Sequence, residues 1–210
     1  MPKVSVRNKF IKVFRSLYTE ESYFNESRIN NLFDGDNSLF KELLLTTKVY
    51  YEYGSGFSTI YASRLDHIEV NSIDTNLGWI EELKKHIKSD VNFIHVDLGE
   101  INRFGAPKSF EKINNFNNYV NAIYTKNNFP QLILIDGRFR INCLLTALKK
   151  CPEGTFILFD DYLTRPHYHI VEKFEKPIEF DGRQALFKVK KNYNFDELDN
   201  YINKFEVFYD

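Results

Sequence analysis

The sequence predicts a single α/β domain with a mostly parallel β-sheet, and two observations support this fold class. Five short apolar runs, most of them β-branched or aromatic, recur along the chain with helical patterns between them. Each of these runs ends at a carboxylate. Strands that alternate with helices form parallel sheets, which bind ligands outside the carboxyl ends of their strands. We therefore expect these acids to converge on one crevice.

A helical region over residues 1–47 precedes the first strand, and a glycine-rich turn follows that strand within residues 49–60. Gly54 and Gly56 can adopt positive φ and let backbone N–H groups approach a ligand, which the N-terminus of the next helix also favours. Glu52, at the strand end, is placed to accept hydrogen bonds from ribose or amino groups. This pattern indicates a nucleotide-cofactor site, with an ordinary tight turn as the alternative.

Acids also end the four later runs. These acids are Asp74, Asp97, Asp136 and the pair Asp160 and Asp161. Asp74 lies about one β-α-β unit beyond Glu52, where an acidic residue commonly binds ribose hydroxyls. A single aspartate at such a position is more often a helix N-cap or a turn residue. A series of five strand-end acids is hard to explain in that way.

The remaining segments are predicted from shorter patterns. Residues 99–128 are expected to form an irregular loop around 105–107 and then a helix from about Ser109 to Tyr124. Two short strands should flank the turn at Asp181 and Gly182, and a helix over residues 195–208 should close the chain. The aromatic residues of that last helix could also form a homodimer contact.

Length and composition limit the function classes. A chain of 210 residues with 43% hydrophobic content is most simply one domain with one core. A formal net charge of -1 gives no global field to hold nucleic acid. The sequence has no signal peptide and no membrane-length apolar run, which predicts a cytoplasmic protein without membrane contact. Cys143 and Cys151 lack metal-ligand spacing and are expected to be reduced, structural thiols.

Over about two-thirds of its length, the chain resembles the class I S-adenosylmethionine-dependent methyltransferases. The resemblance implies a Rossmann-like domain over residues 1–210, in which residues 48–210 form the cofactor-binding core. That core would have a seven-stranded sheet, helices on both faces and an antiparallel C-terminal strand pair. The implied cofactor-binding residues are Glu52, Gly54, Ser55, Gly56, Ser58, Thr59, Asp74, Asp97 and Leu98. Ser58 stands where many members carry a third glycine.

The acids after the fourth and fifth strands look like those of the macrocin-type, metal-dependent sugar O-methyltransferases, and are similar to those of the catechol-type enzymes. The resemblance implies that Asp136, Asp160 and Asp161 bind Mg²⁺ or Mn²⁺, which would acidify an acceptor hydroxyl and hold it facing the methyl group. The alternative is that Asp160 or Asp161 caps the following helix and no metal binds. Macrocin-type members place a histidine just after the fourth-strand aspartate, whereas this chain has Arg138.

Several residues are therefore candidates for acceptor chemistry. The proposed catalytic residues are Asp136, Arg138, Asp161 and His167. Pro166 is a good first helical position, which would place His167 at a helix start near the cleft as a general base. A surface or capping role is the alternative for this histidine. The resemblance also implies that residues 1–47 cover the acceptor, through side chains such as Tyr18, Tyr23, Phe24 and Arg28 or by packing alone.

The sequence as a whole predicts methyl transfer from S-adenosylmethionine to a hydroxyl of a small acceptor. A sugar or glycan precursor is preferred because of Asp136, Asp160 and Asp161. One alternative is a domain that binds S-adenosylmethionine or a nucleotide without turnover. A dinucleotide-dependent oxidoreductase is disfavoured, because the turn lacks the full Gly-x-Gly-x-x-Gly pattern and no Tyr-x-x-x-Lys proton donor is present.

Overall fold

The computed structural model describes residues 23–125 and 128–209, and these residues form a seven-stranded sheet of order β3-β2-β1-β4-β5-β7-β6. The strands are β1 Val49–Tyr53, β2 Glu69–Asp74, β3 Val91–His95, β4 Leu132–Ile135, β5 Phe156–Phe159, β6 Glu179–Asp181 and β7 Gln184–Lys188. The first five strands pair in parallel, whereas β7 is antiparallel to β5 and β6 is antiparallel to β7. The predicted fold class is confirmed, including its antiparallel C-terminal pair.

Helices cover both faces of this sheet. The α-helices are α1 Glu26–Asn30, α2 Ser38–Thr46, α3 Phe57–Ala62, α4 Leu77–Leu83, α5 Phe116–Asn121, α6 Arg140–Lys150 and α7 Phe195–Lys204. Short 3₁₀ helices span Phe33–Gly35, Ile113–Asn115, Ala122–Thr125 and Pro166–Lys173. The last of these begins at Pro166, as the sequence predicts.

The alternation of side chains along the central strands divides the core into two layers. Tyr51 and Tyr53 of β1 lie on the face that α5, α6 and α7 cover. Tyr50 points to the opposite face, where it packs with residues of α2 and α3. All three tyrosines are fully buried. The described helices therefore cover both faces of the sheet, and a ligand can approach the ends of its strands.

Two expectations differ from the structure or fall outside it. Within residues 109–124 the α-helix is limited to Phe116–Asn121. Asparagine side chains favour turns over helix interiors because they compete for backbone hydrogen bonds, and this segment is rich in them. The predicted helical region over 1–47 contains α1 and α2 in its described part, whereas Tyr18 lies outside the described residues.

Within the described part of the chain, no helix is both long enough and apolar enough to cross a membrane. Cys143 and Cys151 are both buried thiols.

Candidate active site

A cleft of about 920 Å³ opens at the carboxyl ends of the parallel strands. The turn after β1, the loops after β2, β4 and β5, residues 102–105 and part of the N-terminal region line it. Asp74, Asp136 and Asp161 all lie in its wall. The parallel sheet thus brings together acids that are far apart in sequence.

The turn after β1 has one glycine that the fold requires and one that faces open space. Gly54 has a φ of +93°, and a Cβ there would come within 2.8 Å of backbone atoms of Asp136 and Gly137. A Cβ at Gly56 would meet nothing within 4 Å. Gly54 therefore allows the ends of β1 and β4 to approach each other, whereas Gly56 leaves the cleft wall free for a ligand.

Glu52 does not reach the cleft, which differs from the predicted ligand contact. Its side chain is fully buried beneath the turn and accepts hydrogen bonds from the hydroxyls of Tyr50 and Ser58, both at 2.8 Å, and of Thr59. The Thr59 hydroxyl also accepts the N–H of Gly56 at 2.8 Å. Burial raises the pKa of Glu52, and the hydroxyls of Thr59, Ser72, Tyr50 and Ser58 counteract that rise. Glu52 and Thr59 therefore support the turn from below.

Asp74 connects the turn to the end of β2. Its carboxylate accepts the backbone N–H of Ser55 at 3.0 Å and that of Asn76 at 2.8 Å. Burial raises the pKa of Asp74 to about 6, and the backbone hydrogen bonds limit the rise. Trp79 donates its indole N–H to the Ser55 carbonyl at 2.7 Å and also lines the cleft. The position of Asp74 suits an acceptor for ribose hydroxyls.

The loop after β3 departs from the predicted arrangement. Asp97 forms an ion pair with Lys112 and accepts the N–H of Gly99 at 2.8 Å, away from the cleft wall. Leu98 is buried in the hydrophobic core. The chain reverses here so that Phe104 and Gly105 form this side of the cleft instead. Neither Asp97 nor Leu98 is placed to contact a ligand in the cleft.

Arginines bind the acids that follow β4 and β5. Arg140, only 3% exposed, lies 2.9 Å from an oxygen of Asp136 and 3.3 Å from one of Asp161. Arg183 donates two hydrogen bonds to the buried carboxylate of Asp160, at 2.9 and 2.8 Å. Paired, bidentate contacts of this kind are what a buried carboxylate requires, since an isolated buried charge is costly.

The same arginine cluster extends outward to two further contacts. Arg165 lies 2.8 Å from Asp161, and Arg183 forms an ion pair with Asp34 in the N-terminal 3₁₀ segment. Arg183 is not among the residues predicted from the sequence, although the predicted hairpin carries a signal for it. Because β7 pairs with β5 through Phe159 and Ala185, Arg183 in the turn just before β7 must lie near the end of β5.

These contacts bear on whether the acids could hold a metal ion. Oxygens of Asp136, Asp160 and Asp161 lie within 4.8 Å of one another, close enough for one ion, and carboxylates suit Mg²⁺. A cation among them would, however, lie beside the guanidinium groups of Arg140 and Arg183, which would repel it. The side chains as arranged do not fit a metal ion. Metal dependence stays a prediction of the sequence.

Asp136 presents a partly exposed carboxyl to the cleft. Its side chain is 32% exposed and lines the cleft. Burial and the neighbouring Asp160 carboxylate raise the pKa of Asp136 well above that of an ordinary aspartate, while Arg140 opposes the rise. A carboxyl whose pKa approaches the working pH is suited to accept a proton. Arg138 also lines the cleft, and its backbone N–H donates to the Tyr119 hydroxyl at 3.2 Å.

His167 does not lie in the cleft, which differs from its predicted role as a base. It is exposed, and its ring packs against Tyr168 at 4.4 Å and Phe208 at 5.7 Å between centroids. The 3₁₀ helix that begins at Pro166 buries Tyr168 and so turns the preceding side chain outward. His169 contacts the Tyr162 carbonyl at 3.3 Å.

The N-terminal region supplies one wall of the cleft. Tyr23 packs against Phe57 with ring centroids 5.5 Å apart, and the guanidinium of Arg28 lies 4.7 Å from the Tyr23 ring centroid. Both residues line the cleft, as does Asp34. Phe24 instead stacks on His86, 3.9 Å between centroids, in the aromatic packing behind this wall. The aromatic residues of this region thus divide between cleft and core.

No protein-family model matches the chain, and no curated protein matches it in sequence. Among solved structures, it is similar to a methyltransferase-like protein from Silicibacter pomeroyi. The two are 27% identical with a TM-score of 0.70, over 80% of this chain and 93% of that one. It also shares the fold of the N-methyltransferase NodS from Bradyrhizobium japonicum, solved with S-adenosyl-L-homocysteine. Those two are 11% identical with a TM-score of 0.52, over 88% of this chain and 100% of NodS.

The motifs, the sheet order and these likenesses agree with one another. The chain has the fold of the class I S-adenosylmethionine-dependent methyltransferases.

Proposed function

We propose that the chain transfers a methyl group from S-adenosylmethionine to a hydroxyl of a small acceptor, with a sugar or glycan precursor as the preferred class. The observation that carries this proposal is the single cleft shared by the open turn at Gly56, the carboxylate of Asp74 and the carboxyl of Asp136. The first two suit a nucleoside cofactor, and the third suits a reacting hydroxyl.

The residues present fit the cofactor. Gly56 leaves room for a ligand against the turn, and Asp74 would accept hydrogen bonds from ribose hydroxyls. The aromatic side chains of Trp79 and Phe104 line the cleft and would offer apolar surface to an adenine ring. The bound cofactor would supply an electrophilic methyl group on a sulfonium, with S-adenosylhomocysteine as the product.

The acceptor would lie between the loops after β4 and β5. Its hydroxyl oxygen would form the new bond to the methyl carbon as the carbon–sulfur bond breaks, and Asp136 would take the hydroxyl proton. Arg140 would hold the Asp136 carboxyl in place through their 2.9 Å contact. Rate acceleration would come mainly from alignment of the two reacting groups in a site that the protein has already shaped.

Two measurements test the proposal. Calorimetric titration with S-adenosylhomocysteine should show binding to the wild type and much weaker binding to Gly56→Val, whose side chain would enter the cleft. A panel of sugars, sugar phosphates and sugar nucleotides should then yield S-adenosylhomocysteine from S-adenosylmethionine. Binding without turnover on any acceptor would favour the non-catalytic binding module, and no binding to the folded protein would refute both.

A further inference from the structure

Arginine and lysine are distributed very differently over the described residues. Six of the seven described arginines line the cleft, and none of the described lysines does. The six are Arg28, Arg103, Arg138, Arg140, Arg165 and Arg183. Any cation would provide positive charge, whereas only arginine presents a planar fork that binds carboxylate and phosphate oxygens in pairs. The segregation therefore indicates recognition of such groups.

Part of this recognition is internal to the protein. Arg140 and Arg183 bind carboxylates of the cleft floor, and Arg140 is almost completely buried. Arg165 is different, because it pairs with Asp161 at 2.8 Å while 36% of its side chain stays exposed. Internal pairing thus explains why two of the arginines are there. Arg165 also donates to the Tyr168 hydroxyl at 3.0 Å, but a guanidinium carries five N–H groups, and its partly exposed side chain can offer the remaining ones to a ligand in the cleft.

The charge balance of the cleft also favours an anionic ligand. The six arginines face four aspartates in the lining, and they still outnumber the acids when the buried Asp160 is added. Arg138 follows Asp136 by two residues, and Arg165 is bonded to Asp161, so both lie next to the proposed acceptor position. A neutral sugar would use hydrogen bonds of either polarity, whereas this lining favours negative charge.

We infer that the acceptor carries an anionic group, a phosphate or a carboxylate, which Arg138 and Arg165 bind beside Asp136. This inference rests on the proposed function, since it names the substrate class of the same site. It goes beyond a sugar hydroxyl as such: the acceptor would be a sugar phosphate, a nucleotide sugar or a uronic acid.

The test is calorimetric titration of the S-adenosylhomocysteine-saturated protein with inorganic phosphate, D-glucuronate and D-glucose. The anions should bind, and glucose should bind far more weakly than glucuronate. Arg138→Gln and Arg165→Gln should each weaken anion binding on the order of ten- to a hundredfold, because each removes charge-assisted hydrogen bonds. Arg64→Gln is the matched control, since Arg64 pairs with the exposed Glu26 outside the cleft, and it should bind like the wild type. The preference between phosphate and glucuronate identifies the anion.

Equal binding of glucose and glucuronate would overturn the inference, as would unchanged anion affinity in both cleft variants. Thermal unfolding curves show whether each variant folds. If a glutamine variant does not fold, Arg165→Lys takes its place, because lysine keeps the charge but lacks the planar guanidinium. Failure of the proposed function is recorded separately, by the absence of S-adenosylhomocysteine binding. Methyl transfer to neutral sugars with no anion binding would refute the inference alone.

Discussion

The two glycines of the turn after β1 should respond in opposite ways to the same substitution. Alanine at Gly54 would hold a side chain at a φ of +93°, which costs on the order of 1–3 kcal/mol. Its Cβ would also press within 2.8 Å of the Gly137 backbone, which cannot rotate away, and overpacking of that kind adds about 1–3 kcal/mol. Together these terms remove roughly 2–6 kcal/mol of the free energy of unfolding, or about 5–20 °C in Tm for a domain of this size.

Alanine at Gly56 meets no atom within 4 Å, and its φ of -167° is ordinary extended backbone. The free energy of unfolding should therefore change by only about 0.5 kcal/mol in either direction. Binding should suffer instead, because the added methyl group occupies space that a ligand lying against the turn would need. We expect affinity for S-adenosylhomocysteine to fall at least about tenfold, each tenfold step being about 1.4 kcal/mol.

Differential scanning calorimetry measures the first effect and titration calorimetry the second, on the wild type and both alanine variants. A Gly56→Ala protein that binds S-adenosylhomocysteine like the wild type would show that the cofactor does not approach this turn. A Gly54→Ala protein as stable as the wild type would show that β1 and β4 do not meet as closely as the structure has them.

Three further predictions concern the acids and the histidine. Affinity for S-adenosylhomocysteine should fall as pH drops through about 6, because Asp74 then gains a proton and loses the charge that ribose hydroxyls bind. Calorimetric titrations from pH 8 to 5 should show this fall in the wild type and not in Asp74→Asn. Asp136→Asn should cut turnover on the order of a hundred- to ten-thousand-fold while S-adenosylhomocysteine affinity is unchanged. His167→Ala should keep wild-type initial rates. A large rate loss in the histidine variant would reverse these two assignments. Turnover should survive excess chelator because arginines already bind Asp136, Asp160 and Asp161; activity lost on chelation and restored by Mg²⁺ would establish the metal site that the sequence suggests.

Local patterns in the sequence were sufficient to predict the scaffold. A strand, a glycine turn and a helix leave a signature within a dozen residues, so the turn at Gly54 and the strands that surround it can be identified from the sequence alone. The acids at the ends of β2 and β4 followed from the same logic, since parallel strands end at one edge of a sheet. Asp74 and Asp136 therefore lie where the pattern indicates.

Only the tertiary structure decided which of these side chains reach the cleft. Glu52 shares the Tyr50 face of β1, where α3 folds over it and supplies Ser58 and Thr59 as partners, so its carboxylate is enclosed. His167 turns outward because the side chain of its neighbour Tyr168 is buried in the core. Such outcomes depend on which face each element presents to its neighbours, and packing sets that.

The arginine cluster shows the same division most clearly. Arg183 and Asp160 are 23 residues apart, and they meet because β7 inserts beside β5 in antiparallel register. The sequence showed the hairpin and the acid, and each had a local signature. It could not show that the Arg183 guanidinium pairs with the Asp160 carboxylate. Periodicity is a property of single helices and strands, whereas the pairing of buried charges depends on the distances that the assembled fold sets between them.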